Sequence, residues 1–333
     1  MIALDANGAD RGPATVAEGG RLSGSEVTLF GPAAELAGFE HVVDAPLAIG
    51  NDEEPVLAVR SKPESSIVQA IRAVADGQAD AVVSAGATGA VLAAAVLHLR
   101  RMHGVHRPGI AVMIPVPGAP TLMVDVGANV EVRPEHLVQF AYMGSAFMEA
   151  VHGVANPRVG LLSIGEEAKK GTPDVVAAHE RLAAAANSSI NFIGNVEGTD
   201  VTAGAADVIV TDGFTGNVAL KLMEGTAKTV VGAVRDAVRS NPKSMLGGAL
   251  ISGAVGGLRR ELDPNTTGGA ILLGVRGIVV IAHGGSSAEG IANAVRVAQR
   301  AVDEHVIERT AAALEAGGAL RSAPTATVAP IDE

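Results

Sequence analysis

Short apolar runs that do not alternate with polar residues recur along this chain, and longer helical patterns separate them. Runs such as Ile2–Asp5 and Ala81–Ala85 are typical of strands buried on both faces, because a half-exposed strand would alternate apolar with polar side chains. The repeated order of strand and helix favours a mostly parallel sheet covered by helices on both faces, which is a three-layer α/β/α sandwich. The predicted strands are Ile2–Asp5, Val27–Gly31, His41–Asp44, Ala81–Ala85, Ile110–Pro115, Thr121–Val126, Val159–Ile164, Ile190–Gly194, Val208–Thr211 and Ile278–Ala282, and the predicted helices are Ser65–Ala75, Thr88–Met102, Pro134–Val151, Pro173–Ala186, Gly216–Arg239 and Ser287–Ala313.

The composition of the 333 residues excludes several classes of protein. Apolar residues make up 48% and charged residues 18%, which is too apolar for a disordered chain. Asp and Glu number 36 against 25 Lys and Arg, and the resulting net charge of −11 disfavours general nucleic-acid binding. The chain has no cysteine, which excludes disulfides and thiolate metal sites and is consistent with a reducing cytoplasm. We expect no metal and no organic cofactor.

Residues 81–99 are long and apolar enough to be compared with a membrane-spanning helix, since they run for 19 positions without Lys, Arg, Asp or Glu. A membrane-spanning helix needs about 20 apolar residues. Two Gly, a Ser and a Thr interrupt the middle of this run, so we predict a buried strand followed by an Ala-rich helix instead. No basic leader or apolar run precedes Asp5, and we expect no signal peptide.

The chain divides into a body, an excursion and a tail. We predict a single α/β/α domain over residues 1–316 and a flexible tail over 317–333. Within the domain, residues 240–265 break the strand-and-helix pattern with a Gly-rich apolar stretch that has no evident strand partner. We expect it to project from the body as a helical excursion, which meets either a membrane or a partner subunit.

Four glycine-containing turns lie between a predicted strand and a predicted helix: Ser84–Gly89, Gly165–Thr172, Asp212–Asn217 and His283–Ser287. Ligands of open α/β sheets bind at the carboxyl ends of strands. Glycine permits close backbone approach, and a helix start offers free N–H groups to an anion. The alternative is four ordinary tight turns. None matches a P-loop, a dinucleotide fingerprint or a nucleophile elbow.

Four single residues at these strand ends have both a catalytic and a structural interpretation. Asp5 holds a substrate or caps the loop that follows it. Lys170 binds an anion or is simply solvated. Asn217 is a helix N-cap or an oxyanion donor. His283 takes part in chemistry or satisfies a structural hydrogen bond.

Several motifs together resemble one family. They are Ser84-Ala-Gly-Ala-Thr-Gly89, Asp125-Val-Gly-Ala-Asn129, Asn191-Phe-Ile-Gly-Asn-Val-Glu197 and Asp212-Gly-Phe-Thr-Gly-Asn-Val-Ala-Leu-Lys221. Between about residue 55 and residue 300 the sequence is similar to the PlsX family, the bacterial acyl-acyl carrier protein:phosphate acyltransferases. It departs from the family pattern at Asn7, Ala87 and Ile281.

The resemblance implies a reaction in phospholipid synthesis, in which inorganic phosphate and an acyl-acyl carrier protein give an acyl phosphate and free carrier protein. It also implies a fold like that of phosphotransacetylases and isocitrate dehydrogenases, a homodimer, and a cytoplasmic enzyme associated peripherally with the inner membrane face. A membrane-bound glycerol-3-phosphate acyltransferase would act downstream. The alternatives are a CoA-dependent phosphotransacetylase and a non-catalytic scaffold for the carrier protein or the membrane.

The resemblance also implies the roles of individual residues. Lys170 would hold phosphate, Asn217 would stabilise the oxyanion, and His283 would protonate the leaving sulfur or orient a neighbour. The further residues expected to bind substrate or phosphate are Asp5, Ser84, Gly86, Thr88, Gly89, Asn129, Glu166, Asp212, Gly213, Thr215, Gly216, Lys221 and Gly284. Carrier-protein docking is expected at Arg100, Arg101, Arg259 and Arg260, and membrane contact at Leu246, Leu250 and Ile251.

Overall fold

The computed structural model describes residues 1–116, 120–185, 189–247, 250, 253 and 268–321. The strands of this part of the chain form one sheet in the order β3-β2-β1-β4-β11-β10-β5-β6-β9-β7-β8. They are β1 (Ile2–Asp5), β2 (Val27–Gly31), β3 (Val42–Asp44), β4 (Ala81–Ser84), β5 (Gly109–Ile114), β6 (Thr121–Val124), β7 (Val159–Leu162), β8 (Phe192–Val196), β9 (Val208–Val210), β10 (Ala270–Leu273) and β11 (Ile278–Ile281). The helices are α1 (Pro13–Ser23), α2 (Pro55–Ser61), α3 (Ser66–Ala75), α4 (Thr88–Ala94), α5 (Pro134–His152), α6 (Pro173–Ala185), α7 (Gly213–Arg239), α8 (Ala288–Asp303) and α9 (Val306–Ala316).

The apolar core lies on both faces of this sheet. Successive strand residues point to opposite faces, so Val83 joins the cluster under α1, α5 and α8, whereas Val82 joins the cluster under α3 and α4. Both side chains are fully buried. The predicted three-layer α/β/α sandwich with a mostly parallel sheet is therefore confirmed, and so is the strand followed by a helix within residues 81–99.

The direction of the strands reverses in the middle of the sheet. The pairings β11–β10, β10–β5 and β5–β6 are antiparallel, and the other pairings are parallel. As a result, β1, β4 and β11 end at one rim of the sheet, which we call the first rim. The strands β6, β7 and β9 end at the opposite rim, which we call the second rim. Because the six-residue β5 connects the two rims, they are roughly 20 Å apart.

Several elements depart from the predictions. The helix α2 was not predicted, because its seven residues are too few to show a helical period. The helix α1 was not predicted either, because Gly19 and Gly20 weaken its helical pattern. A side chain at Gly19 would place its Cβ 2.5 Å from Cβ of Ile291, so this glycine permits α1 to pack closely on α8. The short β10 was not predicted either, since its four residues come soon after the excursion, whose sequence has no regular strand-and-helix pattern. The helix predicted over Ser287–Ala313 is divided in two at His305, whose φ is 52°.

The helix α7 leaves the body soon after it begins. It is 27 residues long, and its buried residues are Gly213 and Gly216 in its first turn. Beyond it, residues 242–247 are also helical, and Leu246 and Leu250 are highly exposed. Ile251, Arg259 and Arg260 lie outside the described residues.

The start of the predicted tail lies against the body. The Gln139 side chain on α5 donates a hydrogen bond of 2.8 Å to the Ala319 carbonyl, and the Arg321 N–H donates one of 2.9 Å to the Gly104 carbonyl. The chain therefore stays attached at least as far as Arg321, while residues 322–333 lie outside the described part. Among the described residues, no helix combines the length and the apolar character that crossing a bilayer requires.

Candidate functional site

Two buried polar side chains stand side by side at the first rim. Ser84, at the end of β4, donates a 2.6 Å hydrogen bond from Oγ to Oδ2 of Asp5, at the end of β1. The Asn7 N–H donates to the other oxygen of Asp5 over 3.2 Å, and the Gly86 N–H donates to Ser84 Oγ over 3.0 Å. The Asp5 carboxylate thus fixes the loops that follow both strands. The structure supports the loop-holding role of Asp5 that the sequence left open.

His283 follows β11 at the same rim. The Ala282 N–H donates to the Ser84 carbonyl over 2.8 Å, which continues the pairing of β11 with β4 up to the histidine. The ring nitrogen Nδ1 of His283 lies 3.0 Å from the Gly285 N–H, which donates to it. In the neutral ring the proton therefore sits on Nε2, and the exposed ring can offer it to a ligand.

The helix α4 also begins at the first rim, with Thr88 and Gly89 in its first turn. Its N-cap is Ala87, which offers no side-chain acceptor to the first N–H groups. Gly89 packs on Pro55, since a Cβ at this glycine would lie 2.8 Å from Cγ of the proline. With Ala87 at the cap, no side chain among the described residues caps this helix start.

Burial raises the pKa of the Asp5 carboxyl to about 6, against the lowering effect of its hydrogen bonds from Ser66, Ser84 and Asn7. The native state thus holds this proton more tightly than the unfolded chain does. Ionisation of Asp5 therefore costs no stability below pH 4, and the cost grows to about 3 kcal/mol above pH 6.

We expect Asp5→Asn to remove this pH-dependent cost. The free energy of unfolding of the variant, minus that of the parent, should rise by up to about 3 kcal/mol between pH 4 and pH 6.5. Urea unfolding across that range measures the difference. Asp52→Asn removes an exposed carboxyl and serves as the matched control, against which the rise for Asp5→Asn is compared. A difference for Asp5→Asn that is flat with pH would contradict the assignment.

At the second rim, one buried carboxylate organises the loop after β6. Asp125 accepts hydrogen bonds of 2.7–3.2 Å from the N–H groups of Ile110, Gly127, Ala128 and Asn129, and a fifth from Asn129 Nδ2 over 2.8 Å. Burial raises the pKa of this carboxyl, although these bonds oppose the shift. Asp125 was not among the predicted site residues, although its position directly after a buried strand, ahead of Gly and Asn, is a signal of such a loop-holding carboxylate.

Asn129 itself serves this loop. Its Nδ2 donates to the Pro108 carbonyl over 2.7 Å as well as to Asp125, and its own carbonyl accepts the Gly213 N–H over 2.7 Å. These contacts join the loop after β6 to the first turn of α7. Asn129 was predicted to bind substrate, and in the structure its side chain holds this loop in place.

The second-rim start of α7 is capped by its own sequence. Asp212 accepts hydrogen bonds of 2.8 Å from the Thr215 N–H and of 2.7 Å from Thr215 Oγ1. Asp212 is therefore the N-cap, which excludes that role for Asn217. The Asn217 side chain is exposed in the first turns of the helix, free to donate to a ligand. Lys221 is paired with Glu224 over 3.0 Å.

The loop after β7 carries Lys170. Asn195, at the end of β8, donates from Nδ2 to the Glu167 carbonyl over 2.9 Å and so holds this loop in place. Gly171 has φ 112°, and a Cβ there would lie 2.9 Å from Ser163 Oγ. The side chains of Glu166 and Lys170 are exposed, and no carboxylate among the described residues forms an ion pair with Lys170. Like Asp125, Asn195 holds a loop in place and was not among the predicted site residues.

The structure does not bring all of the predicted site residues together within one chain. Asp5, Ser84, Gly86, Thr88, Gly89, His283 and Gly284 lie at the first rim, whereas Asn129, Glu166, Lys170, Asp212, Gly213, Thr215, Gly216, Asn217 and Lys221 lie at the second. The prediction that all of these residues form one site within a single chain is therefore wrong. They are divided because strand direction reverses at β10 and β5, which runs of apolar residues do not reveal.

Two of the predicted docking arginines lie beside a third. The Arg100 carbonyl accepts the Arg276 N–H over 3.0 Å, and Arg276 Nε donates to the Arg101 carbonyl over 3.1 Å. All three side chains are exposed. Arg276 thus extends the predicted basic pair to a cluster on the side of the second rim.

Comparison with known proteins agrees with this architecture. The family model described as "Fatty acid synthesis protein" matches residues 1–309. A phosphate acyltransferase of Desulforudis audaxviator is 43% identical over 316 residues, covering 92% of this chain and 93% of the relative. A phosphate acyltransferase of Nostoc punctiforme is 44% identical over 324 residues, covering 92% and 94%.

A solved phosphotransacetylase from Streptococcus pyogenes shares the fold, with a TM-score of 0.60 at 18% identity, covering 91% of this chain and 94% of that one. The resemblance stated from the motifs is thereby confirmed. Since the family model spans nearly the whole length, the chain belongs to the fatty acid synthesis protein family, whose members include the phosphate acyltransferases that it matches.

Proposed function

We propose that this chain is a phosphate acyltransferase that converts an acyl-acyl carrier protein and inorganic phosphate into an acyl phosphate and free carrier protein. The observation that carries the proposal is the 43% identity, over 92% of the chain, to a protein named phosphate acyltransferase. The phosphotransacetylase fold is consistent with the same type of acyl transfer. The carrier protein as acyl donor is inferred from the resemblance of the motifs.

The reaction joins a phosphate oxygen to the thioester carbonyl carbon and breaks the carbon–sulfur bond. Phosphate is already an anion at neutral pH, so the site needs no strong base. It must hold phosphate against the carbonyl, stabilise the oxyanion and let the thiol leave. A free thiol has a pKa of about 8.5, and its departure needs only modest help.

The exposed second-rim side chains suit the first two tasks. Lys170, without an ion-pair partner in the described chain, would bind phosphate by a charge-assisted contact. Asn217 does not cap α7, because Asp212 does, so its side-chain amide would donate a hydrogen bond to the oxyanion. His283 suits the third task, because the Nε2–H of its neutral ring can donate a hydrogen bond to the leaving sulfur, which departs as a thiolate and takes its proton from water.

The carrier protein would dock on a patch of positive charge on this chain, although the chain as a whole is acidic. Carrier proteins of fatty-acid synthesis are acidic, and this chain has a net charge of −11. The exposed cluster of Arg100, Arg101 and Arg276 is a patch of the required sign. Arg259 and Arg260, outside the described residues, stay part of the proposal on the sequence alone.

We also infer that the protein is a cytoplasmic homodimer that touches the inner membrane face through the excursion. Leu246 and Leu250 are 67% and 81% exposed, which suits apolar insertion at the headgroup boundary. Ile251 belongs to the same apolar run in the sequence. A long acyl phosphate is labile and poorly soluble, so release near the bilayer would shorten its path to a membrane-bound glycerol-3-phosphate acyltransferase.

The test is phosphate-dependent release of free carrier protein from a palmitoyl-loaded form. Lys170→Ala and Asn217→Ala should each lower turnover at least about tenfold, because one charge-assisted contact or oxyanion donor is worth that much. The matched control is Lys169→Ala, which removes the neighbouring exposed lysine and should leave turnover nearly unchanged.

Three outcomes would contradict the proposal. Equal activity with palmitoyl-CoA would favour a CoA-dependent phosphotransacetylase. No release from any thioester would favour a non-catalytic scaffold. Normal rates for both alanine variants would remove Lys170 and Asn217 from the reaction.

A further inference from the structure

We infer that the active site is completed between two copies of this chain, with the first rim of one protomer facing the second rim of the other. The inference rests on the proposed function, since it takes Lys170, Asn217 and His283 to serve one reaction. It adds that no single chain assembles these groups.

The two rims of one chain are too far apart to form one active site. Reacting groups must approach to about 3–3.5 Å, yet His283 and Asn217 lie at rims that are roughly 20 Å apart. A hinge does not remove this separation. Both rims belong to one sheet, which is hydrogen-bonded without a break from β4 through β11, β10, β5 and β6 to β9. Opposite ends of one sheet cannot meet unless that ladder is broken.

The helix α7 carries an exposed apolar stripe that a partner could cover. Phe214, Val218 and Leu222 recur every four residues and so form one stripe along the helix. They are 61%, 50% and 68% exposed. The stripe begins within the second-rim motif itself, next to Asn217. Whatever covers this apolar face is therefore placed against the second rim.

The chemistry of this surface favours a second copy as its occupant. Charges of both signs, Lys221 and Glu224, border the apolar stripe, whereas a lipid surface would select for basic residues alone. Pairing of two copies about a twofold axis is reciprocal. It would supply the first rim of each chain with the second rim of its partner, and so would build two identical sites.

Heterodimers test the inference directly. One variant carries Ser84→Ala and His283→Ala at the first rim, and the other carries Lys170→Ala and Asn217→Ala at the second. Each homodimer should be at least tenfold less active than the parent. In the purified heterodimer of the two, one site would carry all four substitutions and the other none, so we expect about half of the parent rate.

Controls separate this result from misfolding and from failure of the proposed function. A parent chain paired with either variant should keep about half of the parent rate. A Lys170→Ala chain paired with an Asn217→Ala chain should stay inactive, since both substitutions belong to the second rim. If the mixed-rim heterodimer stays inactive while the parent pairings are active, the site lies within one chain and the inference is wrong.

Chemical cross-linking tests the same inference without a measurement of enzyme activity. Because the chain has no cysteine, Thr88→Cys together with Phe214→Cys introduces one thiol at each rim. A short bismaleimide should join two chains into a covalent dimer, whereas Thr88→Cys alone should give none. Exclusively monomeric product from the double variant would overturn the inference whatever reaction the protein catalyses.

Discussion

Asp125→Ala should destabilise the protein by more than about 5 kcal/mol, the largest loss that we expect from any single substitution. The carboxylate accepts five hydrogen bonds, four from backbone N–H groups and one from a side-chain amide. Each donor that loses a buried partner costs about 1–3 kcal/mol. Urea unfolding, with the slope compared between variants, measures the loss.

Asp212→Ala is the matched control for this prediction. Asp212 also accepts hydrogen bonds at a second-rim loop, but it serves as a half-buried helix cap, and loss of such a cap costs about 1 kcal/mol. Similar losses for the two variants would show that Asp125 does not organise the loop. A folded Asp125→Ala protein should also lose activity, because the first turn of α7 would no longer be held.

Gly216→Ala should cost about 3 kcal/mol of folding stability, or abolish folding of the second rim. The added Cβ would lie 2.0 Å from the backbone oxygen of Asp125 and 3.0 Å from Cγ2 of Thr211. Overpacking of this kind usually costs about 1–3 kcal/mol, and here the obstructing atom is backbone that hydrogen bonds on both sides hold in place. Thermal and urea unfolding midpoints should both fall.

Gly225→Ala separates steric conflict from helix propensity, since it lies nine residues further along the same helix. Nothing lies within 4 Å of a Cβ at this glycine, and alanine is the better helix former by about 1 kcal/mol. We therefore expect Gly225→Ala to be neutral or stabilising. A loss at Gly225 as large as that at Gly216 would attribute both effects to the helix itself and contradict the steric explanation.

Much of the fold could be predicted from the sequence because burial on both faces leaves a strong signal. Runs such as Ala81–Val83 and Val208–Val210 are fully apolar, and they occupy the interior of the sheet. The direction of each strand leaves no such signal. The reversal at β10 depends on which strands pair, and pairing is decided by contacts between residues more than a hundred positions apart, such as Ala270 with Val112.

The same limit explains what the sequence did and did not reveal about the candidate site. Glycine turns after buried strands located Ser84, Lys170 and Asn217 at helix starts or loops. Their division between two rims could not be predicted, because it follows from the strand reversal. Asp125 and Asn195 were overlooked for a different reason: their side chains act on the backbone of neighbouring loops, and a residue pattern alone does not show which N–H or carbonyl a side chain will meet.

The position of the β10–β11 hairpin has a consequence for the order in which the sheet can be completed during synthesis. These two strands come from the last quarter of the described chain, yet they stand in the centre of the sheet, between β4 and β5. Until the ribosome has released them, the nascent chain carries two half-sheets, and β4 and β5 each present an unpaired edge. Exposed edges of this kind recruit other strands. A chain halted before residue 270 should therefore aggregate, whereas loss of residues 322–333 leaves every strand of the sheet in place.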